Sequence, residues 1–167
     1  MIKETTVTES TVEIDLPKME LTDEDVMVLK GFSQIEEFIL GENKLTNKSI
    51  EMICTSFPSL KKLIINKNEF KPECLKNIGA LENLVYLDTR DNKLGDKCLV
   101  HICESKSLTD LSLSNNNITD DGALNLANLK NLTYLDITNN SLTDNGIKPI
   151  LKLEKLTHLY LMSNQLT

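Results

Sequence analysis

No apolar run in this chain approaches the roughly 20 residues that a bilayer-crossing helix requires. The N-terminus, MIKETTVTES, lacks the hydrophobic stretch of a secretory signal peptide, so a cytoplasmic location is expected. Positive charge is in short supply: 18 basic residues face 25 acidic ones, and the net of −7 argues against nucleic acid or an anionic membrane surface as partner. No glycine-rich loop is placed to cradle a phosphate, and no helix is basic; the six glycines read as turn and packing residues. Arginine occurs once, at Arg90, and tyrosine three times. With so few of these residues, their positions carry information.

What is present is a period. Leu108, Leu111, Leu113, Asn116 and Ile118 return 24 residues later as Leu132, Leu135, Ile137, Asn140 and Leu142. The same template places unit starts at Thr11, Ile35, Leu60, Leu84, Leu108, Leu132 and Leu156, with one step of 25 residues ending at Leu60. Each unit begins with alternating apolar residues, the mark of a half-buried strand. These pairs are Ile14/Leu16, Phe38/Leu40, Leu63/Ile65, Leu87/Thr89, Leu111/Leu113, Leu135/Ile137 and Leu159/Leu161. An asparagine follows in all but the first unit: Asn43, Asn68, Asn92, Asn116, Asn140 and Asn164, with Met19 in unit one. A short amide where the chain turns can satisfy backbone groups that neither strand nor helix pairs.

A 20–29-residue period carrying L-x-x-L-x-L-x-x-N-x-L is the signature of leucine-rich repeats. The chain resembles that family over nearly everything after Ser10, and its helix-friendly second half, ITDDGALNLANL, is most similar to ribonuclease-inhibitor-like and bacterial members. The resemblance implies an α/β right-handed leucine-rich repeat solenoid of seven strand–helix units. A parallel sheet would line the concave face and short helices the convex face. Residues 1–10 form a lead-in and residues 11–167 the repeat domain, whose last unit is incomplete. That end suggests either a fragment of a longer chain or an edge covered by a partner, and its uncovered side predicts weak self-association.

Within the helical halves, Thr22 and either Thr119 or Asp120 are placed to cap, and Pro149 is expected near a helix start. Cys74 and Cys98 share one repeat position with Gly122 and Gly146, and Cys54 and Cys103 share another. They read as reduced thiols in small packing sites, since helices roughly 8–10 Å apart are too distant for a disulfide between equivalent positions. Cys98-x-x-His101-x-Cys103 points in three directions around one helix, so no metal or other cofactor is expected.

The residues between the strand leucines face the concave side. Tyr86, Tyr134 and Tyr160 all lie there, as does Arg90, and both types are enriched at binding hot spots. With Asp88, Asp110, Asp136 and His158 they form the candidate protein-binding surface on units four to seven. Tyrosine also suits an exposed strand, which is the plainer account. Asp88 and Asp136 lie roughly 10 Å apart, near the upper limit for an inverting glycosidase, but an open sheet offers no pocket to raise one pKa. The expectation is therefore no enzyme, but a protein–protein interaction module whose ligand carries a basic surface. The competing context is the recognition part of a larger protein, such as a bacterial effector delivered into a host cytosol without a classical signal peptide. A structural spacer or hydrolase fits less well. Eight acids stand against Lys3 and Lys18 in the first 25 residues, either as a solvated cap or as a means of steering a basic partner.

Overall fold

The computed structural model describes residues 6–167. The side chain of Cys74, read above as a packing thiol, lies outside the described residues, as do Lys3 and Glu4 of the acidic cap. Seven three-residue strands form one parallel sheet in sequence order. They are β1 (Glu13–Asp15), β2 (Glu37–Ile39), β3 (Lys62–Ile64), β4 (Tyr86–Asp88), β5 (Asp110–Ser112), β6 (Tyr134–Asp136) and β7 (His158–Tyr160). Equivalent repeat positions pair throughout: Leu63 faces Leu87, Leu87 faces Leu111, and Leu111 faces Leu135. A chain repeating every 24 residues can only stack like on like in this way.

Because strand side chains alternate, Ile14, Phe38, Leu63, Leu87, Leu111 and Leu135 all turn inward and are buried. The helical layer covers them with α1 (Asp23–Met27), α2 (Asn47–Ser56), α3 (Asp96–Ile102), α4 (Asp120–Ala123) and α5 (Asp144–Ile150). Unit three is covered by two 3-10 turns, Pro72–Leu75 and Ile78–Ala80, and another, Leu124–Asn128, continues α4. Ala123, Leu126 and Leu129 nonetheless reach the core as their spacing requires. Phe38 and Phe57 meet edge to face at 4.8 Å. No helix among the described residues is long and apolar enough to cross a membrane.

Pro149 is not at a helix start. It is the penultimate residue of α5, buried, and its missing N–H falls where the acceptor would be the carbonyl of exposed Asn145. Solvent can satisfy that carbonyl, so the helix tolerates the ring and ends one residue later.

Two ladders run between neighbouring units, the first continuous and the second interrupted at units two and three. After every strand the chain turns through a left-handed residue, such as Glu42, Asp91, Asn115 or Asn139, which costs a non-glycine residue conformational energy. The asparagine that follows holds the turn. Asn116 Nδ2 donates to the carbonyls of Leu113 and Ser114 in its own unit and of Thr89 in the unit before. Its Oδ1 accepts from the amides of Asn92 and Leu94. Asn43 and Asn140 repeat the pattern in full. Asn68, Asn92 and Asn164 likewise donate to both units.

The second ladder runs along the helix starts. Thr119, not Asp120, caps α4 by accepting from the Asp121 amide at 3.3 Å. Asp120 instead reaches the next unit, accepting from the Thr143 amide at 2.8 Å and the Thr143 hydroxyl at 2.6 Å. Asp23 does the same to Thr46, Asp96 to Thr119 and Asp144 to Thr167. Glycine two residues after the aspartate follows from this reach: a Cβ on Gly122 would lie 2.3 Å from Asp96 Oδ1, and one on Gly146 2.3 Å from Asp120 Oδ1. Hydrogen bonds from Thr143 and Thr167, hydroxyl first and then amide, hold the Asp120 and Asp144 carboxyls below the usual aspartate range.

One core position breaks the pattern. Ser105 occupies the place held by Leu81 and Leu129, is buried, and leaves its hydroxyl without a hydrogen-bond partner among the described residues. Ser105→Ala should therefore raise stability by about 1 kcal/mol, whereas Leu135→Ala should cost ~2–5 kcal/mol and Asn116→Ala ~1–3 kcal/mol. Urea denaturation checks all three; a Leu135→Ala protein of native stability would contradict the stacking described. The ladder carboxyls give a pH dependence of definite sign. Their folded pKa values lie below the ordinary 3.8, so their contribution is complete above that pH and is lost as pH falls through the lowered values. Urea midpoints measured from about pH 6 down to about pH 2 should show a shallower acid limb for Asp120→Asn than for the parent.

Candidate functional site

Alternation that sends the leucines inward sends their neighbours out. Tyr86, Asp110, Tyr134 and His158 form one row across β4–β7, and Asp88, Ser112, Asp136 and Tyr160 form the next. Arg90 follows two residues beyond Asp88 on the same side of the chain.

The site residues do not stand equally open. Asp88 is 1% exposed, with Arg90 folded back upon it. Nε donates to Asp88 Oδ1 at 2.9 Å and to Oδ2 at 3.0 Å, Nη2 donates to Oδ2 at 2.6 Å, and the Arg90 amide donates to Oδ1 at 3.0 Å. This bidentate pair drives the arginine pKa up, partly offset by burial, and leaves Asp88 closed to a ligand. It also removes Asp88 from any carboxylate pair with Asp136. The spacing puts the two residues on one face, since residues two apart on a strand share it, but does not by itself pair them.

Beyond β5 the surface becomes aromatic. The Tyr134 ring lies 5.4 Å from Tyr160 and 6.1 Å from His158, both tilted, within the range of favourable ring contacts. His158 Nδ1 is 2.9 Å from the Thr157 hydroxyl. Tyr160 is 42% exposed and neighbouring Met162 69%. Burial, and then the charge of Asp136, raise the Tyr134 phenol; burial and Asp88 raise that of Tyr86, against the lowering effect of Arg90 and Lys62. Asp136 accepts from the Thr138 amide, and Asp110 from the Thr109 hydroxyl. Ser112 and Ser114 are small and buried between their larger neighbours.

The other half of the sheet differs. Glu37 and Lys62 pair at 3.1 Å, Ile39 and Ile64 are half-buried, and Glu13 and Asp15 are exposed. Among the described residues no three His, Cys, Asp or Glu side chains gather as metal ligands. Cys98 donates to the Gly95 carbonyl, and burial pushes the Cys54 and Cys103 thiols up to about 12, far from reactive thiolates. Cys54, Cys98 and Cys103 should titrate with Ellman's reagent only after unfolding, and the unfolded chain should show four thiols without prior reduction; fewer than four would reveal a disulfide or a metal.

Comparison with known proteins agrees with this geometry. Residues 106–166 match the family model described as leucine rich repeat. No curated protein sequence matches. Among solved structures, an internalin (inlF) from Listeria monocytogenes superposes with a TM-score of 0.68 at 22% identity, over 78% of this chain and 36% of that one. Internalin C2 from the same organism superposes with a TM-score of 0.78 at 24% identity, over 96% of this chain and 67% of that one. The chain thus spans only about a third of the first of these proteins and two thirds of the second. With one sheet ladder, one asparagine ladder and the leucine rich repeat model matched over its final units, the chain has the fold of a leucine-rich repeat solenoid.

Proposed function

We propose that this chain is a non-enzymatic protein-recognition module, with its protein ligand seated on the outer sheet face of units four to seven. The observation that carries this reading is the cluster of Tyr134, Tyr160 and His158, in which the Tyr134 ring meets both others on an open sheet, beside an arginine already fixed in place by Asp88. Amphipathic rings supply contact area at low entropic cost, and an arginine held before contact loses little freedom on binding. Asp110 and Asp136 form no ion pair among the described residues, so the surface favours a partner that presents lysine or arginine. An open sheet supplies no water-excluding pocket for hydrolysis, and Asp88, buried under Arg90, is withdrawn from a carboxylate pair with Asp136.

The test is affinity capture with the parent protein and with the double variant Tyr134→Ala/Tyr160→Ala, mass spectrometry of what is retained, and titration of the recovered partner. The double change should weaken binding by more than ~2 kcal/mol while thermal unfolding stays almost unchanged. Lys130→Ala, outside the sheet face, should alter neither. A partner whose affinity ignores the tyrosines and falls with changes on the helical side would remove the proposal.

A further inference from the structure

We infer that the rings of Tyr86 and Tyr134, with the Asp110 carboxylate between them, form a seat for one cationic side chain, lysine or arginine, of the protein partner. This rests on the sheet-face reading above and adds where on that face the partner's charge is taken up.

Three acids stand on the outer face of β4–β6, and they are not equivalent. Asp88 is buried and bonded through both oxygens to Arg90. Asp136 lies within the electrostatic reach of the same guanidinium and has Oδ1 engaged by the Thr138 amide. Asp110 is different. Its Oδ2 accepts from the Thr109 hydroxyl at 2.6 Å, and it has no ion pair among the described residues. It is half-buried, so its charge is only partly screened by solvent.

The strand register supplies the walls. Asp110 is paired across the sheet with Tyr86 on one side and Tyr134 on the other. Neighbouring strands lie about 4.8 Å apart, so a cation held above Asp110 is flanked by a tyrosine on each side, the arrangement in which ring faces attract a cation. The Tyr134 wall is set beforehand by its contacts with Tyr160 and His158. Nothing large stands over the seat from β5, because the next outward residues, Ser112 and Ser114, are small and buried. The nearby cations are already engaged, Arg90 with Asp88 and Lys62, beside Tyr86 on β3, with Glu37. A neutral apolar side chain could touch the same rings but would leave Asp110 partly desolvated and unpaired, and an acidic one would be repelled.

The seat can be tested without knowing the partner. The probes are three capped tripeptides, Gly-Lys-Gly, Gly-Arg-Gly and Gly-norleucine-Gly, titrated against the full chain while tyrosine ring signals are followed by NMR. Lysine and arginine probes should shift the Tyr86 and Tyr134 rings saturably, and the norleucine probe should not. Asp110→Asn should weaken the effect about fivefold or more, and added salt should weaken it further. Asp121→Asn, on the helical side, should leave it unchanged, with circular dichroism confirming that both variants fold. Equal shifts from norleucine, indifference to Asp110→Asn, or no ring shift with any probe overturns the seat. Shifts confined to Tyr134 and Tyr160 also overturn it, while leaving the aromatic sheet face as the recognition surface. The reverse failure, seat intact but partner indifferent to the tyrosine pair, sinks the broader proposal alone.

Discussion

A solenoid turns a corner after every strand, and each corner leaves backbone amides and carbonyls that the sheet cannot pair. Burying them unpaired would cost about 1–3 kcal/mol for each group. The asparagine side chain answers that requirement, because its amide both donates and accepts and is short enough to reach two units at once. Asn116, wholly buried, donates to Thr89 of the preceding unit and to Leu113 and Ser114 of its own, while accepting from Asn92 and Leu94. With the corner held, the next strand can only begin in register, and the leucines fall into line behind it.

The aspartate–threonine contacts do for the helical side what the asparagines do for the turns, but less continuously. Asp23, Asp96 and Asp120 each bind the threonine that opens the next helix, and Asp144 binds Thr167 at the equivalent position. At unit two the residue is Asn47, which accepts only the Lys71 amide. At unit three it is Pro72, and the cover there shortens to 3-10 turns. Units four to seven, which hold the candidate surface, are thus joined by an unbroken run of these contacts. Their outward residues are accordingly presented from a consistent frame.

On that frame the charge distribution is decided locally. A formal count of the outer face of β4–β6 gives three acids and one base, but the Asp88–Arg90 pair cancels itself and buries the acid. What reaches solvent is an aromatic surface with Asp110 and Asp136 set into it. Such a surface favours cations through ring faces and carboxylates together, which neither group achieves as well alone in water.

The period of 24 was enough to place the strands, their parallel pairing and the inward leucines, because a repeat that cannot bury its own face must stack on its neighbours. It was enough to assign Asn43 to Asn164 to the turns and to put all three tyrosines on one face, since strand alternation leaves no choice. Sequence could not place Pro149, because the end of a helix depends on what packs beneath it. Nor could it choose between Thr119 and Asp120, as either can cap; only the neighbouring unit, offering Thr143 to Asp120, decided the matter. The availability of Asp88 was likewise a tertiary result. A carboxylate two residues from an arginine is free or paired according to side-chain torsions and the space that small neighbours such as Ser112 leave, and a linear pattern of residue types contains neither.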